Sequence, residues 1–262
     1  MLNFLRFLFG RYFWIQCGSE LSYKGQWKSG RFNGYGHLKY KNGSEYVGHF
    51  VDGVKHGNGW YSSSSGYEYE GDWHKGKQSG KAKIQYKNGD VYTGEVKDSL
   101  RDGFGELYQV SAARNFKGTW IKNHIEKDAE IKDQNWLFKG SVDLKSNVGY
   151  GEIEYKDGSI YIGEIRAFKR QGKGILKMAN GHSINGIWNN NINVESAIIF
   201  DEYGFRWDGN LENMQPVGRM KTTRPDGIIY DSVWRDGAML QSLSIQKIST
   251  KMRNTSETRN IN

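Results

Sequence analysis

Large apolar residues recur along this chain about every 23 residues. Ten such positions open ten units: Tyr23, Tyr46, Tyr69, Tyr92, Phe116, Phe138, Tyr161, Ile184, Trp207 and Tyr230. In nine of the ten units a glycine stands two residues later, and in all ten a second large apolar residue stands four residues later. Side chains two and four positions apart share one face of a strand. Each unit is therefore predicted to open with a short strand that carries both large side chains on one face.

The second half of each unit predicts another strand, bounded by tight turns. Glycine pairs such as Gly34 and Gly36 recur in phase, for example at Gly57 and Gly59. Asn-Gly or Asp-Gly dipeptides close five units, at residues 42–43, 88–89, 157–158, 180–181 and 226–227. Between apolar runs these dipeptides are typical of type I′ hairpin turns, in which both central residues have positive φ. The chain is therefore expected to be all-β, a series of antiparallel hairpins.

The composition supports a folded all-β protein. Glycine accounts for 34 of the 262 residues and proline for 2, which excludes collagen-like and proline-rich disordered chains. The 9 Trp, 16 Tyr and 12 Phe supply more large apolar surface than disordered chains carry. The single cysteine, Cys17, cannot form an intramolecular disulfide or a cysteine-rich zinc site, so packing must stabilise the fold.

The repeat resembles the MORN repeat, named for membrane occupation and recognition nexus. The likeness spans about residues 23–237 and is clearest from Tyr23 to Gly43, which reads YKGQWKSGRFNGYGHLKYKNG. The resemblance implies an elongated solenoid or ribbon of about ten 23-residue antiparallel hairpins, each packing on its neighbours, often with a short terminal helix. It also implies association with membranes, the cytoskeleton, cilia or cortical structures.

The unequal regularity of the units predicts five segments. They are an apolar N-terminal segment at 1–22, a regular repeat block at 23–115, a degenerate repeat at 116–137, a looser block at 138–237, and a C-terminal cap helix with a basic tail at 238–262. In the degenerate repeat Asn123, Lys127 and Ala129 replace glycine, and the run IEKDAEIKDQN is compatible with a helical turn or an extended loop. This repeat is either a bend or boundary, or drift within one continuous sheet.

The two ends of the chain carry apolar segments outside the repeat. At the C-terminus, Leu240, Leu243, Ile245 and Ile248 predict a short helix near residues 239–252, followed by a disordered end. At the N-terminus, residues 1–17 are too short and too charged for a spanning helix and lack an Ala-x-Ala cleavage pattern. This segment either caps the solenoid or lies on a membrane surface. The membrane-contact candidates are Phe4, Arg6, Phe7, Arg11, Phe13 and Trp14.

No catalytic, cofactor or metal site is predicted. The six histidines show no His-x-x-x-His spacing, and the Gly-x-Gly pairs do not continue into a Gly-Lys-Ser/Thr phosphate loop. The net charge of +8 comes from 37 basic and 29 acidic residues and leans towards the chain ends. We therefore expect a non-catalytic protein without cofactor, small-molecule substrate or nucleic-acid partner.

The function predicted from these patterns is a scaffold or adaptor that binds an extended protein partner, or a second copy of this chain, through exposed aromatic rings. The central positions of this predicted aromatic strip are Tyr46, Phe50, Tyr69, Trp73 and Tyr92. In a competing interpretation these rings pack on one another and only hold the fold. The alternative function is peripheral binding of anionic phospholipids such as phosphoinositides. The expected location is cytoplasmic, at the periphery of a membrane, the cytoskeleton or a cilium.

Overall fold

The computed structural model describes residues 14–193 and 195–247. Within these ranges every regular element is a strand, and there are twenty-two of them. The chain divides into two compact units, residues 1–156 and 157–262. The strands pair antiparallel inside each unit, which confirms the all-β hairpin fold predicted from the repeat.

In the described part of the first unit each strand pairs with the next strand along the chain. Its strands are β1 (Ile15–Gln16), β2 (Leu21–Lys28), β3 (Arg31–Tyr40), β4 (Glu45–Val51), β5 (Val54–Ser62), β6 (Glu68–His74), β7 (Lys77–Gln85), β8 (Val91–Lys97), β9 (Leu100–Gln109), β10 (Arg114–Ile121), β11 (His124–Lys132), β12 (Trp136–Asp143) and β13 (Val148–Tyr155).

In the second unit the short β17 and the following β18 both pair with β16. Its strands are β14 (Ile160–Arg166), β15 (Lys169–Lys177), β16 (Ser183–Asn189), β17 (Ile192–Asn193), β18 (Ala197–Phe200), β19 (Arg206–Glu212), β20 (Gln215–Thr223), β21 (Ile228–Arg235) and β22 (Ala238–Lys247).

Glycine leaves room for the opening tyrosines of the first repeats to lie against the sheet. Gly25 and Gly36 are direct partners across β2 and β3, and the ring of Tyr23 occupies the space that a Cβ at either would need. The Tyr23 hydroxyl donates a hydrogen bond of 3.0 Å to the carbonyl of Gln26. The same arrangement recurs at Tyr46, over Gly48 and Gly59. The repeated glycine is therefore a packing requirement of the aromatic face.

The core of each unit is this aromatic face. In the first unit the ring centroid of Tyr46 lies 5.0 Å from Phe50 and 5.2 Å from Trp73, both in edge-to-face geometry. In the second unit Tyr161 meets Trp188 at 5.8 Å, and Trp188 Nε1 donates to a backbone carbonyl at 2.9 Å. These rings are buried, so in these repeats the opening and closing residues of the first strand hold neighbouring repeats together.

The turns correct one detail of the prediction. At Asn42-Gly43 only the glycine has positive φ, +85°, and its N–H donates to the carbonyl of Tyr40. This is a type I turn followed by a left-handed glycine rather than a type I′ turn. Both central residues have positive φ instead at Asp52-Gly53, between β4 and β5. The two-residue type I′ turns therefore lie inside the repeats, and the Asn-Gly turns lie between them.

The degenerate repeat forms an ordinary hairpin. Most of the run IEKDAEIKDQN belongs to β11, which pairs with β10 and β12, so the helical turn is wrong. A positive φ at Asp128 and register shifts between β10 and β11 mark a β-bulge there. The division between the compact units falls after residue 156, outside the range 116–137. A bend at this repeat stays a prediction.

The predicted C-terminal helix is also wrong over its described part. Residues Ala238–Lys247 form β22, which pairs with β21 from Ile228 opposite Lys247 to Arg235 opposite Ala238. Strand β21 presents a row of backbone donors and acceptors, and pairing satisfies them for both strands. Residues 248–262 lie outside the described range. Among the described residues, no helix has the length and apolarity needed to cross a membrane.

Candidate functional site

The predicted aromatic strip lies in the core. Tyr46, Tyr69 and Tyr92 are 0% exposed, Phe50 is 2% exposed and Trp73 is 6% exposed. The expectation that these rings form an accessible strip is therefore corrected, and the competing interpretation, in which they pack on one another, describes their geometry. The physical reason is that neighbouring repeats supply the cover for each ring, so a helix over this face is not needed.

Most of the predicted membrane contacts lie outside the described residues. These are Phe4, Arg6, Phe7, Arg11 and Phe13. The described candidate, Trp14, is 41% exposed. Its ring lies 4.7 Å from the His37 ring, and the Lys39 Nζ lies 4.7 Å from its centroid. Trp14 thus packs partly on β3 through a cation–π contact.

A trough on the opposite face of the first unit is the candidate site. Its volume is about 870 Å³, and it crosses the strands from β3 to β9. Its floor is largely the backbone of the glycine row, in which Gly48 pairs with Gly59 and Gly59 with Gly71. One wall is formed by successive register partners, namely Val47, Trp60, Glu70, Lys83, Thr93 and Glu106. The other wall is formed by Tyr35, His49, Asn58, Lys81, Glu95 and Phe104.

Aromatic side chains lie exposed at the ends of the trough. Tyr35 on β3 and Phe104 on β9 are each 55% exposed. Tyr35 meets the His49 ring at 5.4 Å in edge-to-face geometry, which orients both side chains. Trp60, on β5, is half-buried beside Val47. These rings are the accessible aromatic surface that the core residues do not provide.

Charged side chains occupy the middle of the trough. Glu70 stands opposite Lys83, and Lys81 stands opposite Glu95. Within the described part of the chain, the Glu70, Lys81 and Lys83 side chains form no ion pair or hydrogen bond, whereas Lys77 pairs with Asp98 at 2.9 Å nearby. The trough charges are therefore available to a bound molecule.

Cations cap the aromatic core on its own face. Lys55 Nζ lies 4.6 to 4.9 Å from the ring centroids of Tyr46, Tyr61 and Trp73, and burial lowers the pKa of Lys55 to about 8. In the next but one repeat, Arg101 occupies the same position, 4.3 Å above a tryptophan centroid. Both residues stand nine positions after an opening tyrosine, a spacing that sequence inspection could have singled out.

The tyrosine phenols of the core stay protonated at neutral pH. Burial raises the pKa of Tyr67 and of Tyr92, each to about 12, so both phenols stay protonated and act as hydrogen-bond donors. Tyr67 donates to Gln78 at 2.9 Å. In the ranges that the structure covers, no group of three or more His, Cys, Asp or Glu side chains could hold a metal ion.

Sequence reasoning missed the trough residues, although a signal was present. The trough walls come from the positions between the repeated apolar residues, such as Val47 and His49 between Tyr46 and Phe50. Period two assigns these positions to the other face. Which of them stand side by side depends on register, and the period alone does not supply the register between distant strands.

The comparisons with known proteins concern the repeat and the fold. The MORN repeat family model matches residues 23–45, 46–66, 69–91, 92–111 and 161–183. Comparison with curated proteins gave no match. Among solved structures, the G-box domain of the microcephaly protein CPAP is 15% identical, with 74% of this chain and 100% of that chain covered and a TM-score of 0.45. The TCP10 domain of Danio rerio CPAP is 13% identical, with coverages of 79% and 96% and a TM-score of 0.46.

Proposed function

Because this chain is built of MORN repeats, we propose that it is a non-catalytic scaffold that binds an extended segment of a protein partner in the trough between β3 and β9. The observation that carries the proposal is the trough itself, which has exposed rings at its ends. In its middle Glu70, Lys81 and Lys83 form no ion pair with any described residue. A second copy of this chain is one candidate partner. Association with a membrane, the cytoskeleton or a cilium is part of the proposal.

The dimensions of the trough suit an extended peptide. Seven strands at about 4.8 Å spacing give a length of roughly 29 Å. An extended chain advances about 3.3 Å per residue, so about eight or nine residues fill this length. A folded domain would meet only the rims, whereas a single extended segment reaches the backbone floor.

The exposed rings supply the binding energy. Tyr35 and Phe104 each lose apolar surface to a partner without disturbing the core, because both point away from it. Aromatic side chains that become buried at the centre of an interface commonly dominate its affinity. Trp60 is the strongest candidate anchor, since its large ring stands between Val47 and Glu70 on one wall.

A peptide library displayed on phage tests the proposal. Peptides selected on the full chain should bind the Trp60→Ala and Phe104→Ala variants at least about tenfold more weakly, the loss expected from one aromatic hot spot. Tyr150→Ala is the matched control, because Tyr150 is 60% exposed on the same unit but lies outside the trough. Equal binding by all three variants would refute the trough as the binding site.

Binding of anionic phospholipids, including phosphoinositides, through residues 1–17 is the alternative proposal. Arg6 and Arg11 lie within an apolar run, a composition that suits a membrane interface. Co-sedimentation with phosphoinositide-containing vesicles should then be lost on deletion of residues 1–22 and weaken with salt. Unchanged co-sedimentation after the deletion argues against the segment as an anchor.

A further inference from the structure

The charges of the trough follow a fixed order along its axis. Starting from the Trp60 end, β6 contributes Glu70, β7 contributes Lys81 and Lys83, β8 contributes Glu95 and β9 contributes Glu106. They lie on both walls, because Glu70 pairs with Lys83 on one wall and Lys81 pairs with Glu95 on the other. The order is therefore acidic, basic, acidic, acidic at steps of about 4.8 Å.

The charged side chains in the middle of the trough do not form ion pairs with one another in the described structure. Opposite charges on neighbouring strands do form ion pairs elsewhere in the unit, as between the diagonal neighbours Lys139 and Glu154 at 2.7 Å. In the described residues Glu70, Lys81 and Lys83 form no such pair, although Glu70 stands opposite Lys83 and Lys81 stands opposite Glu95. Cross-strand pairs of opposite charge contribute to stability, so leaving them open forgoes a stabilising interaction. The open arrangement leaves Glu70, Lys81 and Lys83 able to meet a partner, whereas Glu106 already accepts a hydrogen bond from Asn115 Nδ2 through one carboxylate oxygen.

The sign of the charges limits the class of partner. The three trough carboxylates outnumber the two ammonium groups, although the whole chain has a net charge of +8. A nucleic acid or an anionic lipid surface would be repelled at Glu70, Glu95 and Glu106. A polypeptide can present both signs of charge in a defined order.

We propose that the trough selects an extended peptide in which an apolar residue is followed by a basic residue, an acidic residue and then further basic residues. The apolar residue meets Trp60, the first base meets Glu70, the acid meets Lys81 and Lys83, and the later bases meet Glu95 and Glu106. This assignment rests on the proposed function of the trough. At about 4.8 Å per strand and 3.4 Å per residue, the motif spans about six residues from β5 to β9.

Two synthetic peptides of identical composition test the order of charges. The first has the complementary order, and the second has its acidic residue moved next to the apolar residue, so that bases face Lys81 and Lys83. Fluorescence anisotropy with the full chain should show the first peptide binding about tenfold more tightly, since several partly exposed ion pairs are gained or lost together. The difference should shrink at high salt.

A charge swap in the protein provides the reciprocal test. The Lys81→Glu, Lys83→Glu double variant should reject the first peptide and bind a version whose acidic residue is replaced by lysine. The control is the Lys87→Glu, Lys97→Glu double variant, which changes the net charge equally at exposed positions outside the trough and should keep the wild-type preference. Thermal unfolding of each variant verifies that it is folded.

The outcomes separate this inference from the proposed function. Equal affinity of both peptides, with binding lost in Trp60→Ala, overturns the charge order and leaves the trough as the binding site. If neither peptide binds, the proposed charge order is also overturned. The phage selection then tests independently whether the trough is the binding site. Tighter binding of the complementary peptide together with reversal in the Lys81→Glu, Lys83→Glu variant supports the inference.

Discussion

Two neighbouring glycines of the first unit should differ sharply in their tolerance of alanine. A Cβ at Gly48 would lie 2.5 Å from the Gly59 Cα and 2.7 Å from the Asn58 carbonyl oxygen, both of them backbone atoms of β5. The three atoms nearest to a Cβ at Gly59 all belong to the Tyr46 side chain. A ring can shift, but a paired strand moves only at the expense of its hydrogen bonds. Gly48→Ala should therefore be the more damaging change.

The magnitudes follow from the contacts. Overpacking at Gly48 costs about 1–3 kcal/mol, and the Tyr46 hydrogen bond to the His49 carbonyl, at 2.9 Å, contributes about 1 kcal/mol more. Alanine also lowers the conformational entropy of the unfolded chain, which offsets roughly 0.4–1 kcal/mol of this destabilisation. Gly48→Ala should thus destabilise the protein by about 1–3.6 kcal/mol. Gly59→Ala should cost about 1 kcal/mol, since the third repeat has Ala82 at this position beneath Tyr69.

Urea unfolding followed by tryptophan fluorescence measures both changes. Gly227→Ala is the control, because a Cβ there meets no atom within 4 Å and the cost comes from the left-handed backbone alone, with φ at +80°. That cost is roughly 1–2 kcal/mol. If Gly59→Ala proves as destabilising as Gly48→Ala, the backbone contact is not the limiting one and the reasoning is wrong.

Three further changes probe the core, its cap and a turn. Phe104→Ala should leave the free energy of unfolding within about 0.5 kcal/mol of wild type, whereas Phe116→Ala, at a site 3% exposed, should cost about 3–5 kcal/mol in urea unfolding. The pKa of Lys55 is lowered by burial from 10.5 to about 8, so the folded state holds fewer protons between these values. Wild-type stability should therefore rise between pH 8 and 10.5 relative to Lys55→Met, and a flat difference across this window contradicts the burial of the ammonium. Asp90, 9% exposed, accepts the Val110 N–H at 2.9 Å, so Asp90→Ala should cost about 1–3 kcal/mol by orphaning that donor, and Asp90→Asn should recover part of the loss.

The 23-residue period and the strands could be predicted from the sequence because both are local. Alternation from Tyr23 to Trp27 places two large side chains on one face of a strand whatever the rest of the chain does. The need for glycine at position 25 is also local, because the ring of Tyr23, two residues earlier, leaves no room for a Cβ there. Short stretches of the chain are therefore enough to predict the series of hairpins and the all-β fold.

Tertiary structure decided which surfaces remain open. The alternating pattern predicts that Tyr46 and Phe50 share a face. Their burial depends on Trp73 from the next repeat and on Tyr23 and Phe32 from the preceding one. Tertiary structure also decided the conformation of the C-terminal segment. The apolar spacing around Leu240 and Leu243 suits a helix, but the unpaired backbone groups along the edge of β21 favour a strand.

The trough is the feature that short stretches of sequence predict least. Trp60, Glu70 and Lys83 belong to three different strands, and they form one wall only because the bulges and turns between them set the register. A shift of one residue in any of these strands would turn its wall residue to the core face. The sequence by itself therefore determined the repeat and the two faces of each strand. The pairing of strands decided which outward side chains meet, because register depends on contacts between residues that are distant along the chain.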